Sequence, residues 1–152
     1  MQTHTLAIIR GEGFAIPTGR GCGLLVGPVF EGLQFIIDGT DPVTLIMADD
    51  PELSLELAEG RSMAVGTGVI AWSFGSKENL CPFIFGADGT LSPAQDASVC
   101  LGVDNGAVIL VAKADKERRL VFERPGEKSP LLTAAEDSLF VTRYLLEYSR
   151  CY

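Results

Sequence analysis

The chain writes nearly the same passage twice. Residues Phe83–Pro93, which carry an Asp-Gly-Thr turn and are followed by Val99–Gly106, echo Phe35–Thr40 followed by Leu53–Gly60. Phe83 follows Phe35 by 48 residues and Val99 follows Leu53 by 46, a spacing at which internal repeats report architecture. A repeated β unit restricts the fold more than any single side chain does. It cannot bury its apolar face alone, so neighbouring copies must share a core.

Short runs rich in Val, Ile, Leu and Phe recur every ten residues or so, separated by Gly, Pro, Asp and Asn. They are Leu6–Ile9, Phe14–Ile16, Gly23–Val26, Leu33–Ile37, Val43–Met47, Leu53–Leu57, Ser62–Val65, Val69–Phe74, Phe83–Phe85, Val99–Val103, Val108–Val111, Leu120–Glu123, Leu131–Thr133 and Leu139–Leu146. This density of short strands, with 17 glycines and 8 prolines between them, predicts an all-β sandwich or barrel. The best helical stretch, Ala134–Tyr148, lacks a clear 3.6-residue period, and its second half reads as strand.

The echo extends to a third copy if Phe122 is set against Phe83 and Phe35, the spacing shrinking to 39 residues, with Ser138–Val141 set against Ser98–Leu101. Three units, at about residues 5–52, 53–98 and 99–152, account for the whole length as one domain. Three four-stranded copies around a pseudo-threefold axis make a β-trefoil, a six-stranded barrel closed at one end by three hairpins. Thr5–Ile8 would be a fourth copy of the first strand, so either Leu139–Tyr152 is an extra closing strand or the repeats begin elsewhere.

Charge and composition exclude several classes of function. With 20 acidic against 12 basic residues the net charge is −8, which argues against a nucleic-acid ligand. The basic stretch Lys113–Arg124 is interleaved with Asp115, Glu117 and Glu123 and reads as a solvated edge or turn. Gly27, Pro28 and Glu31 interrupt the richest apolar run, so no membrane span is expected. Met1–Thr5 has neither a basic start nor an apolar core, which predicts a cytoplasmic protein, with loss of a leader or non-classical secretion as alternatives. Cys22, Cys81, Cys100 and Cys151 have no metal or redox spacing and are expected as reduced, mostly buried thiols.

No catalytic constellation is legible. His4 is the one histidine and lies near a terminus, so Ser-His-Asp and Cys-His mechanisms are not expected. Gly19–Gly23 lacks the spacing of a phosphate loop, and the acidic pairs Asp49-Asp50 and Glu136-Asp137 lack a metal-binding pattern. The chain is expected to be a non-enzymatic binding module without cofactor or metal.

The middle of the chain resembles a ricin-type β-trefoil lectin repeat. The resemblance is carried by Leu53–Leu57, Val69–Trp72, Cys81–Phe83, Asp88–Leu91 and Cys100–Val103, in that order, and covers about residues 53–124. It implies a glycan or glycoprotein partner, held by an acidic residue two after the Cys-like position, an aromatic ring from the second strand and an amide before the third. On this chain those are Glu56, Trp72 and Asn79. A carboxylate accepts bonds from vicinal hydroxyls, an indole packs on a pyranose face and an amide both donates and accepts. The chain departs from the family in having Glu where Asp is usual, Cys81–Phe83 in place of Gln-x-Trp, and Gly102 at the acidic position of the third copy. From the residues alone, Trp72 also reads as core, Glu56 as an outward polar residue between Leu55 and Leu57, and Asn79 as turn chemistry.

A second expectation, from another class, is a protease-binding trefoil that acts through an exposed loop. Ile16–Gly21 and Arg124–Pro130 are the candidate loops, because their prolines lower the entropy lost on binding.

Overall fold

In the computed structural model, residues 3–15 and 20–124 are described. The fold is all-β and antiparallel. Twelve strands are present among the described residues: β1 Thr3–Thr5, β2 Ala7–Ile8, β3 Glu12–Ala15, β4 Leu25–Pro28, β5 Gln34–Asp38, β6 Thr44–Met47, β7 Leu53–Leu57, β8 Val69–Ser73, β9 Phe83–Phe85, β10 Leu91–Pro93, β11 Val99–Asp104 and β12 Ala107–Ala112. They form one five-stranded sheet in the order β1-β5-β6-β7-β8, another in the order β11-β12-β4-β3-β2, and the hairpin β9-β10. The expected strands Leu131–Thr133 and Leu139–Leu146, the helical candidate and most of the loop Arg124–Pro130 lie outside the described residues, as do residues 16–19 of the other candidate loop.

Similar pairings recur along the chain. One set of hairpins joins β3 to β4 (Ala15 opposite Leu25), β7 to β8 (Glu56 opposite Ile70) and β11 to β12 (Gly102 opposite Ile109). A second set joins β5 to β6 (Phe35 opposite Met47) and β9 to β10 (Phe83 opposite Pro93). Its third member brings Phe122 opposite Ile8 of β2, where the Ile9 amide donates to the Val121 carbonyl and the Glu123 amide to the Ala7 carbonyl, both at 2.8 Å. The second strands of the first set also bond to one another in a ring. Leu24 donates to Val69 (3.1 Å), Leu110 to Thr67 (2.8 Å) and Val108 to Leu24 (3.0 Å).

Alternation along the strands directs every second apolar side chain to a common core. Phe35, Phe83 and Phe122, the three residues on which the sequence echo is aligned, are all buried in it. The Phe122 ring meets Phe14 edge-on, with centroids 5.3 Å apart at 69°. The Asp-Gly pairs turn the second set of hairpins: Gly39 and Gly89 have φ of +87° and +84°, values that L side chains adopt only with strain. Asp88 completes its turn by accepting bonds from the Thr90 amide (3.1 Å) and hydroxyl (2.7 Å), which lower the carboxyl pKa.

Two expected strands are not present as strands among the described residues. Leu120–Glu123 makes only the isolated bridge of Phe122 with Ile8, and Ser62–Val65 forms no ladder, because the chain leaves β7 through a tight turn and returns to β8 by another, in which Thr67 donates through its amide (3.2 Å) and its hydroxyl (2.7 Å) to the Ala64 carbonyl. No described helix is long and apolar enough to cross a membrane. The stretch Lys113–Arg124 is tied into acids: Arg118 pairs with Asp115 (2.7 Å) and lies 3.9 Å from Asp104, and Lys113 lies 3.9 Å from Asp88.

Two substitutions test this packing by chemical denaturation. Phe83→Ala should cost about 3–5 kcal/mol, because the ring is fully enclosed. Gly102→Ala should cost roughly 1–3 kcal/mol, since an added Cβ would lie 2.5 Å from a Val111 methyl and 2.8 Å from the Arg118 carbonyl oxygen, which is backbone and cannot give way. Gly27→Ala, with its nearest neighbour at 3.8 Å, is the control and should change stability little.

Candidate functional site

The hairpin β7–β8 carries a cavity of about 510 Å³, lined by Glu56, Leu57, Arg61, Ile70 and Trp72 and by the turn at 58–60. Its lining is largely apolar. Trp72 is 40% exposed, so it is a surface platform and not part of the core. Its pairing with Ser54 at the end of β8 turns the indole outward, while Val69 and Ala71 fill the inward positions. The Arg20 guanidinium sits 4.2 Å from the indole centroid, a cation–π contact. Trp72 lines the cavity and Arg20 does not.

Glu56 is placed differently from its strand alternation. It is only 8% exposed, and every residue of β7 is buried. The cover over its outward face is Arg61. The Nε of Arg61 donates to Glu56 Oε1 and its Nη2 to Oε2, both at 2.9 Å, and Nη2 also donates to the Asn79 carbonyl. The Leu57 amide adds a bond to Oε1 at 3.0 Å. Both carboxylate oxygens are therefore occupied by the protein itself. This fork-on-fork pairing raises the Arg61 pKa against the opposing effect of burial.

A left-handed turn makes the contact possible. Glu59 (φ 58°, ψ 44°), Gly60 (φ 67°, ψ 35°) and Arg61 (φ 65°) are all in the left-handed region. For the two residues with a Cβ this costs about 1–2 kcal/mol each. The turn persists because the surroundings over-determine it: the bidentate ion pair and the Asn79 carbonyl hold Arg61 at its end. Reversing the chain in three residues brings position 61 back over position 56, a relation that neither helical nor strand periodicity contains.

Of the three residues expected from sequence, Glu56 and Trp72 line the same cavity. Asn79 contributes its carbonyl to Arg61, while its side-chain amide donates to Ser76 Oγ at 3.4 Å. Arg61 and Arg20 were not expected. The only trace of Arg61 in the sequence is the glycine before it, which favours a positive φ. Beneath the site, the Cys81 thiol is pushed up to about 12 by burial and by the Glu56 carboxylate. None of Cys22, Cys81 and Cys100 is bridged to another, and the latter two are buried. His4 lies in β1 opposite Phe35 and borders a second cavity of about 440 Å³ with Asp41 and Arg124. Among the described residues no group of three or more His, Cys, Asp or Glu could hold a metal ion.

No family model, curated protein or solved structure matches the chain at a significant level.

Two measurements probe the site's construction. Glu59→Gly should leave stability unchanged or raise it by up to about 1 kcal/mol, because relief of the left-handed strain exceeds the entropy cost of glycine. Stability should also fall as pH rises above 9. There the unfolded Cys81 thiol loses its proton, whereas the folded one holds it until about 12, so high pH favours the unfolded chain. Cys81→Ala should flatten that part of the curve.

Proposed function

We propose that the chain is a β-trefoil acting as a non-enzymatic, lectin-like module with a single saccharide site on its middle unit. The reading divides the chain into β3–β6, β7–β10, and β11–β12 with the 119–122 segment. The last unit takes its fourth strand from β1–β2 at the N-terminus. Three observations support this division: the threefold recurrence of both hairpin sets, the ring of bonds among β4, β8 and β12, and the matching junctions at Phe35, Phe83 and Phe122.

The observation that carries the single site is the contrast among equivalent positions. Where the middle unit has Glu56 and Trp72, the first has Ala15 and Gly27 and the third has Gly102 and Val111. A side chain at Gly102 would strike Val111 and the Arg118 carbonyl, so the third position is filled by its own protein. Only the middle unit combines an exposed indole with a polar group held rigid beside it. Such a pairing suits a pyranose, with the C–H face on the ring and hydroxyls toward the fixed donor.

The test is titration of the intrinsic fluorescence of Trp72, the one tryptophan, with a saccharide panel. At least one saccharide should shift the emission and saturate with a stoichiometry of one. Trp72→Ala, followed by calorimetry, should weaken binding roughly tenfold or more. A panel that gives no saturable response removes the reading.

A further inference from the structure

We propose that the ligand of this pocket is an acidic saccharide, one bearing a carboxylate of the uronic-acid kind, received by the Nη1 edge of Arg61. The inference rests on the saccharide reading and names the class of sugar.

The argument is an account of donors and acceptors. A guanidinium has five N–H donors and no acceptor. In Arg61 the Nε hydrogen goes to Glu56 Oε1, and the two on Nη2 go to Glu56 Oε2 and the Asn79 carbonyl. The two hydrogens on Nη1 take part in none of these bonds. Glu56 meanwhile accepts from Leu57 and twice from Arg61, so the acid that the lectin resemblance would set against sugar hydroxyls is already spent as an anchor. Arg61 lines the cavity, whose lining is otherwise largely apolar, so what it has left for a ligand is the pair of donors on Nη1. The complementary group is a planar acceptor that donates nothing, which a carboxylate is and a hydroxyl is not.

Charge points the same way. Glu56 offsets Arg61, but Arg20 brings a second cation to Trp72, and no ion pair engages it among the described residues. Glu59 on the rim is exposed, so water screens its repulsion more than it screens the partly buried Arg61. The chain as a whole is strongly acidic. Selection for an anion must therefore come from the two cations at and beside the pocket, Arg61 and Arg20, and not from the charge of the chain as a whole.

Calorimetry on the full chain with trigalacturonate, its methyl ester and a neutral trisaccharide tests this. The ester keeps the rings and removes the charge. The acid should bind about tenfold more tightly than the ester. Arg61→Lys should lose that preference, because an ammonium cannot grip Glu56 and present a second edge together. Since that variant disturbs the turn, Arg20→Gln is the second arm: it leaves the Glu56–Arg61 pair in place and should weaken the acid severalfold while leaving the ester unchanged. Equal binding of acid and ester, or binding of the neutral sugar alone, overturns this inference and leaves the saccharide site standing. Failure of all three sugars and of the fluorescence panel overturns both.

Discussion

Residues 3–9 make the backbone hydrogen bonds on which the sheet system depends. Strands at the edge of a sheet present rows of unsatisfied amides and carbonyls, which cost free energy when buried and invite association when exposed. β1 satisfies β5 along residues 34–36, and β2 with Ile9 satisfies both β3 and the segment at 121–123. One short, kinked segment therefore pairs with three partners. Phe35, opposite His4, and Phe122, opposite Ile8, pack beneath it, so its hydrogen bonds and the enclosure of the core are one arrangement.

That arrangement leaves the hairpin β7–β8 free to diverge from its counterparts. β3–β4 and β11–β12 have small residues at the positions of Glu56 or Trp72, and at Gly102 the Val111 side chain and the Arg118 carbonyl fill the space. Between β7 and β8 the connection is longer and includes three consecutive left-handed residues. The ion pair that holds them is also the group that gives the cavity its polarity. Strain and candidate chemistry therefore occupy the same few residues, as is common at functional sites, and the stabilisation that maintains the strain comes from the ion pair and from the packed sheets on which the turn is mounted.

Much of the fold is legible in the chain. Strand positions follow from alternating apolar residues, and the Asp-Gly turns follow from the conformational freedom of glycine. The echo of Phe35 in Phe83 marks two residues that occupy matching places. Ser62–Val65 misleads because an apolar run has the same composition whether it enters a ladder or passes through a surface turn, as here, where Ala64 and Val65 are exposed. Trp72 and Glu56 lie on the same outward face of β7–β8, yet the indole is exposed and the carboxylate is enclosed, because Arg61 covers Glu56 and nothing covers the indole to the same degree.

The amino-acid sequence by itself pointed to an all-β protein of short strands with an internal echo, since these readings rest on periodicities of two residues and of nearly fifty. Tertiary structure alone decided which strand closes the set and which guanidinium faces the cavity. Those outcomes depend on pairings more than a hundred residues apart, such as Ile8 with Phe122, and on the sign of φ at residues 59–61. Local composition constrains neither; each is selected only when the whole chain must satisfy its hydrogen bonds and fill its core at once.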